Sequence, residues 1–214
     1  MQQPDIRILL VDHQELVRRG LQRLLDDLPR LTVIGEATSA DEAVRLARSM
    51  KPDVVLMDVE VPGIGGLEAT RRIAQLDQLT RIVVVTARAA DPFPTQLLDA
   101  GARGYISKGC PAEELFQAIR SVMGGDHYIS SDVAQKLALG KAARHEEDSP
   151  LKKLSAREMQ VMLMIVKGST NKEISEKLCL SPKTTSTYRY RLFDKLGVRD
   201  RTQAVLKAKE MRRV

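Results

Sequence analysis

Two sets of residues in this sequence have the types and spacing to do chemistry. The first is a group of polar residues that each end an apolar run. Asp12 follows Ile6–Val11, Asp58 follows Val54-Val55-Leu56-Met57, Thr86 closes RIVVVT (Arg81–Thr86), and Lys108 follows Gly104–Ser107. Asp58 has no basic neighbour in sequence, so an otherwise costly carboxylate at the end of an apolar run needs a partner from elsewhere in the fold. Continuous apolar runs of this kind read as strands of a parallel sheet covered on both faces. Ligands of such sheets sit beyond the carboxyl ends of the strands. Four polar residues from four strand ends therefore meet at one edge.

The second set lies on the segment Pro182–Leu196. Taking Thr185 as zero and stepping about 100° per residue, Tyr188, Leu192 and Leu196 fall on one buried stripe. The opposite face holds Lys183, Thr187, Tyr190 and Asp194, flanked by Thr184, Ser186 and Arg191. Short hydroxyls, an aromatic ring and basic side chains on one helix face suit a DNA major groove. Ser181 and Thr184 at the helix start, and Lys195 near its end, suit phosphate contacts. Arg189 falls on the edge of the buried side and is given no role.

The elements that must position these residues follow from periodicity. Strands are expected at Ile6–Val11, Thr32–Ala37, Val54–Asp58, Arg81–Thr86 and Gly104–Ser107. Helices are expected at Glu15–Leu28, Ala40–Ser49, Gly66–Leu76, Phe93–Ala100 and Pro111–Met123. The apolar stripe of the first helix is read as Leu16, Val17, Leu21, Leu24, Leu25 and Leu28. Five βα units predict an α/β doubly wound, five-stranded parallel sheet. Residues 126–149 read as a linker with a helix over Ser131–Leu139, and KAARHEEDSP is its charged, loop-like part. From there the pattern is all-α. Ser155 and Glu158 form a capping box for a helix over Ser155–Val166. Asn171–Leu178 is a short helix, and Cys179-Leu180-Ser181 is a turn. Pro182–Leu196 is a Pro-started helix that stops at Gly197, and Arg201–Met211 is the last. A helix, a tight turn and a Pro-started basic helix is the helix-turn-helix order. The domains are thus 1–125, the linker 126–149, and 150–214.

Composition narrows the class. Of the 214 residues 43% are hydrophobic and 29% charged, as in globular domains. No run approaches the 18 or more apolar residues of a membrane span, and the N-terminus lacks a signal-peptide pattern, so the expected location is the cytoplasm. Cys110 and Cys179 have no metal-ligand neighbours and read as reduced thiols. No nucleophile set or cofactor loop suggests a metabolic enzyme. Charge divides unevenly: residues 1–139 carry 16 basic and 19 acidic side chains, net −3, and residues 140–214 carry 18 and 9, net +9, which sum to the overall +6. The basic C-terminal part suits a polyanion, or is a solvated surface.

The stretches LLVDHQELVRRG, VVLMDVEVPGIGGLEA, VVVTA and AGARGYISKG resemble response-regulator receiver domains, in order and at that family's spacing, over residues 6–123. The resemblance implies a flavodoxin-like fold and Asp58 as phospho-acceptor. It implies Thr86 and Lys108 as phosphoryl-binding groups and Tyr105 as a switch residue that turns inward. It further implies Mg²⁺ held by Asp12, by Asp58 and by the backbone carbonyl of Glu60. One position departs. The pair after the first strand is Asp12-His13, where the family has two acidic residues, so His13 stands at a metal-ligand position. Imidazole is a poor Mg²⁺ ligand, which makes the expected Mg²⁺ site weak. Glu15 is close enough in sequence to substitute, yet is also a natural first-turn residue.

LSAREM, NKEIS, SPKTT and KLGVRDR resemble the LuxR-type (NarL/FixJ) DNA-binding domain, with Thr185 and Tyr188 standing where Val and His are common. Within that family the chain looks closest to the GacA/UvrY group. The resemblance implies a phosphorylation-regulated transcription regulator with a sensor histidine kinase upstream, promoter DNA as target and a homodimer as active form. Ala204, Val205 and Ala208 read either as a dimer face or as packing on their own domain. A rival reading, carried by His13, is a phosphorylation-independent pseudo-receiver that acts as an interaction module.

Overall fold

The structure is a computed structural model that describes residues 5–87, 94–131, 133–135, 153–178 and 180–213. Strands β1 (Ile6–Val11), β2 (Leu31–Ala37), β3 (Val54–Met57), β4 (Arg81–Thr86), β5 (Gly104–Ser107) and β6 (Tyr128–Ile129) form one sheet in the order β2-β1-β3-β4-β5-β6. Every pairing is parallel. Helices α1 (Glu15–Asp26), α2 (Ala40–Met50), α3 (Gly66–Leu76), α4 (Pro94–Asp99) and α5 (Ala112–Met123) connect the strands.

Alternation along each strand sends side chains to opposite faces, and both faces are covered. Ile8, Leu10, Val54, Leu56, Val83 and Val85 pack with Leu25 of α1 and with Leu115, Ile119 and Val122 of α5. Leu9, Val11, Val55 and Met57 pack with Ala40, Ala43 and Ala47 of α2 and Ile73 of α3. This double burial explains why β3 is apolar throughout and β4 is apolar from Ile82 to Val85.

Three expectations are corrected in this unit. The sheet has six strands, not five: Tyr128–Ile129 pairs with Gly104–Tyr105. Two residues are too short for any periodicity to register. Leu16 and Leu24 do not belong to the buried stripe of α1 and are 85% and 39% exposed; Leu16 lies about 140° around the helix from Leu21 at about 100° per residue. Pro111 is the N-cap of α5 rather than its first helical residue. The chain divides into two compact units, Met1–Gln135 and Lys136–Val214. The first runs past residue 125 because β6 adds to the sheet. Phe93, Cys179, KAARHEEDSP and most of the helix expected over Ser131–Leu139 lie outside the described residues.

The second unit contains α6 (Ala156–Val166), α7 (Asn171–Lys177), α8 (Pro182–Leu196) and α9 (Arg201–Arg213). Local chemistry sets their ends. Ser155 with Glu158 and Thr170 with Glu173 form two capping boxes, each satisfying two backbone donors. Ser181 caps α8 ahead of Pro182, and Gly197 closes it at φ 64°, the left-handed stop that glycine adopts without strain. Arg201 of α9 donates to the carbonyls of Ile165 and Ser169 at 3.1 and 2.8 Å, which pins α9 to the end of α6. Ala204 and Ala208 are buried and pack on their own domain, while Val205 is half-buried. Among the described residues no helix is long and apolar enough to cross a membrane.

The loop after β3 is packed against backbone. A Cβ on Gly66 would lie 2.6 Å from Val59 Cα and 2.8 Å from the Asp58 carbonyl oxygen, and neither atom can move without displacing the strand end. Gly66→Ala is expected to lower unfolding stability by about 1–3 kcal/mol through overpacking. Urea denaturation checks this, and an unchanged midpoint would show that the loop yields freely.

Candidate functional site

Asp12 and Asp58 sit one residue beyond β1 and β3, both 2% exposed. The sheet positions them directly: Val11 pairs with Met57, and the Asp58 amide donates to the Val11 carbonyl at 2.8 Å. Each carboxylate also accepts from the loop that follows it. Gln14 N–H donates to Asp12 Oδ1 at 2.8 Å and Glu60 N–H to Asp58 Oδ1 at 3.1 Å. Thr86 is fully buried at the end of β4. Its carbonyl accepts the Lys108 amide at 2.7 Å, which carries Lys108 over the same edge.

Lys108 Nζ bridges the two carboxylates, bonding to Asp12 Oδ2 and lying 3.2 Å from Asp58 Oδ2. His13 Nδ1 faces them from the other side of the chain turn, 3.4 Å from Asp58 Oδ2 and 3.8 Å from Asp12 Oδ1. The four strand-end residues are thus drawn to one edge, as their positions in sequence imply. Burial raises the Asp58 carboxyl above its usual range. Lys108 opposes that rise and Asp12 adds to it, while the Glu60 amide lowers it. Tyr105 on β5 is fully buried in this structure.

Asp12, His13 and Asp58 offer ligand atoms that all lie within 4.8 Å of one another. The two carboxylate oxygens suit a hard divalent cation. The imidazole nitrogen does not suit Mg²⁺, so the donor set fits that ion only in part.

Several supporting residues were not legible as such. Arg18 of α1 donates to the Asp12 carbonyl at 2.8 Å and pairs with Glu36 at 2.8 Å, holding the Asp12–His13 turn. Asp41 of α2 accepts the Ile64 amide at 3.0 Å and anchors the loop after Asp58. The signal for both was only a charged residue within an amphipathic helix, a pattern shared with most solvated positions.

On α8, Lys183, Thr187, Tyr190 and Arg191 are exposed, and Thr184 and Ser186 are half-buried. Tyr190 is 74% exposed, which is unusual for an aromatic side chain. Thr185 is buried and its hydroxyl lies 2.9 Å from Ser175 Oγ; this resolves how a polar residue fits the inner stripe. The hydroxyls of the outer face have local partners. Ser181 Oγ accepts the Thr184 amide at 3.1 Å and lies 2.8 Å from Thr184 Oγ1. Thr187 donates to the Lys183 carbonyl at 3.0 Å. Lys195 has a partner within its own domain: its Nζ is 2.7 Å from Glu158 Oε2, and Glu158 is 3% exposed, so in this structure Lys195 neutralises a buried carboxylate of α6.

Residues 8–120 match the response regulator receiver domain family, and residues 152–208 match the luxR family of bacterial regulatory proteins. The chain belongs to the two-component response regulators, of the NarL/FixJ type, and is a phosphorylation-regulated DNA-binding transcription regulator. It is 50% identical over 203 residues to response regulator GacA of Pseudomonas aeruginosa, covering 95% of each chain. It is 49% identical over 193 residues to response regulator UvrY of Escherichia coli, covering 90% of this chain and 88% of that one. The structure of RcsB from Salmonella enterica bound to promoter P1flhDC shares the fold at TM-score 0.66 and 22% identity, covering 95% and 98% of the two chains.

The Glu158–Lys195 pair makes a stability prediction. Burial pushes the Glu158 carboxyl up, but hydrogen bonds from Lys195 and Ser155 outweigh it, and the net pKa lies below 4.5. A depressed carboxylate contributes stability above its unfolded value and loses it as pH falls through its folded value. Lys195→Ala is therefore expected to cost about 1–3 kcal/mol at neutral pH by leaving the buried Glu158 carboxylate with Ser155 as its remaining partner. The gap to wild type should shrink as pH drops below 4.5, the unshifted value. Chemical denaturation of both proteins across that range measures it, and a constant gap would mean the pair contributes nothing ionic.

Proposed function

We propose that Asp58 is the phospho-acceptor of this regulator and that Pro182–Leu196 is its DNA-reading helix. One observation carries the first assignment: Asp58 is a buried carboxylate at a strand end, faced by Lys108 at 3.2 Å. Asp58 Oδ2 attacks the phosphorus of a phosphodonor, the new oxygen–phosphorus bond forms as the donor's bond breaks, and the product is an acyl phosphate on Asp58. Lys108 then neutralises a phosphoryl oxygen, and the Thr86 hydroxyl donates to another. Tyr105, on the neighbouring strand and in register with Val84, is the switch residue that goes with that contact. Asp12, Asp58 and the Glu60 carbonyl are the residues to hold a divalent ion, which when bound shields the phosphoryl charge.

A sensor histidine kinase is the physiological donor, and the whole cycle runs in the bacterial cytoplasm. Phosphorylation shifts the receiver between two states, and the active form is a homodimer that sets two helix-turn-helix units on a two-fold promoter site. Thr187 and Tyr190 face the groove floor, with Lys183, Ser186 and Arg191 beside them, and Ser181 and Thr184 at the helix N-terminus meet phosphates. The GacA and UvrY likeness supports this whole arrangement. His13, 3.4 Å from Asp58, supports a second reading, a receiver that signals through a protein partner without phosphorylation.

Acetyl phosphate, supplied with Mg²⁺ and separately with Mn²⁺, separates the two. Labelling of the wild type and none of Asp58→Ala is the expected result. No labelling of either protein would favour the second reading, and equal labelling of both would remove Asp58 from its role.

For DNA, Thr187→Ala and Tyr190→Ala are each expected to cost about 1–3 kcal/mol on the selected site and to reduce the ratio of specific to random binding. Ser181→Ala should weaken both kinds of duplex alike. Competition with a duplex selected from a random library and its scrambled form, at one salt concentration, tests the orientation. Specificity lost through Ser181 and kept without Tyr190 would reverse it.

A further inference from the structure

We propose that the Asp12–His13–Asp58 cluster is built for a divalent transition-metal ion that accepts nitrogen as well as oxygen, in preference to Mg²⁺. The inference deepens the reading of the phospho-acceptor pocket by naming the ion class that the pocket takes. Three ligand atoms of different character converge within 4.8 Å. The imidazole is not packed away: His13 is 39% exposed while its Nδ1 edge points at both buried carboxylates. Asp58 Oδ2, on a side chain 1% exposed, has no well-aligned hydrogen bond among the described residues and is held by its ion pair with Lys108 at 3.2 Å and the approach of His13 at 3.4 Å. A buried carboxylate oxygen so placed can exchange its ammonium partner for a metal ion that His13 also binds.

Competition inside the pocket sharpens the choice. Lys108 already neutralises both carboxylates. A hard ion such as Mg²⁺ demands near-ideal octahedral oxygen ligation and gains nothing from the nitrogen, so it must displace the ammonium on charge alone. Mn²⁺, Co²⁺, Ni²⁺ and Zn²⁺ accept imidazole and carboxylate together, and the His13 bond is an extra gain that Lys108 cannot contest. Any mixed site ranks these ions above Mg²⁺ to some degree, so the decisive quantity is how far the ranking depends on His13.

The experiment titrates the full-length chain with Co²⁺ and, separately, Mg²⁺ at one fixed neutral pH, by calorimetry and by the visible absorption of Co²⁺. Wild type, His13→Ala, His13→Asp and Asp58→Asn are compared, with circular dichroism confirming that each is folded. His13→Ala is expected to lose about tenfold or more in Co²⁺ affinity, since even ligand-supporting partners are worth about 10–100-fold, and to leave Mg²⁺ binding nearly unchanged. His13→Asp is expected to tighten Mg²⁺ and weaken Co²⁺ and to change the Co²⁺ absorption band. Asp58→Asn should weaken both ions. Equal Co²⁺ affinity in wild type and His13→Ala, equal Mg²⁺ affinity in wild type and His13→Asp, or Co²⁺ binding that survives Asp58→Asn would each overturn the proposal. Labelling by acetyl phosphate in parallel keeps its fate separate from that of the phospho-acceptor reading. Loss of labelling with the Co²⁺ preference intact sinks only the latter.

Discussion

Two carboxylates buried side by side are the constraint on which the N-terminal unit depends. Like charges about 4–5 Å apart repel by about 3–4 kcal/mol at an effective dielectric near 20, and Asp12 and Asp58 each also forfeit hydration at 2% exposure. Nothing in the apolar sheet beneath them compensates. Lys108, carried to the same edge by β5, offsets the repulsion by contacting both, and the loop amides of Gln14 and Glu60 satisfy one oxygen of each. The Asp58 carboxyl still sits above its usual range. A pocket in that electrostatic state responds to any added charge, cationic or phosphoryl, and that sensitivity is what a two-state switch requires.

The sheet makes this arrangement rigid. β1, β3 and β4 are paired on both sides and buried on both faces, so the positions of Asp12, Asp58 and Thr86 follow from backbone register and not from flexible side chains. The loops past β1 and β3 are tied down as well. Asp41 holds Ile64, Arg18 holds the Asp12 carbonyl, and Gly66 lets the start of α3 touch the backbone of Asp58 and Val59. Chemistry at Asp58 is therefore coupled to α1, α2 and α3 through short contacts.

In the C-terminal unit the polar side chains divide between holding the fold and facing outward. Glu158 serves both a capping box and the ion pair with Lys195, so one buried carboxylate joins the start of α6 to the end of α8. Ser181, Thr184 and Thr187 direct hydroxyls into their own helix. Outward on α8 stand the charges of Lys183, Arg191 and Asp194, the ring of Tyr190 and Thr187. A surface of that kind favours shape and apolar contact with bases alongside phosphate attraction.

Local rules were enough for much of this protein. Helix and strand types follow from hydrophobic period, and helix ends follow from Ser155, Thr170, Ser181-Pro182 and Gly197, because caps and stops are interactions between residues three or four apart. The convergence of Asp12, Asp58, Thr86 and Lys108 was legible as well, since parallel strands all end at the same edge. What tertiary structure alone decided involves partners far apart in sequence. β6 is too short to announce itself and exists through pairing with β5. Leu16 looks apolar in sequence and is exposed by its angle on the helix. Ala204 and Ala208 are buried because α9 packs on α6. Lys195 looks free until Glu158, 37 residues earlier, proves to be its partner. Sequence patterns report a residue's own face and neighbours; which distant charge fills that face is set by packing.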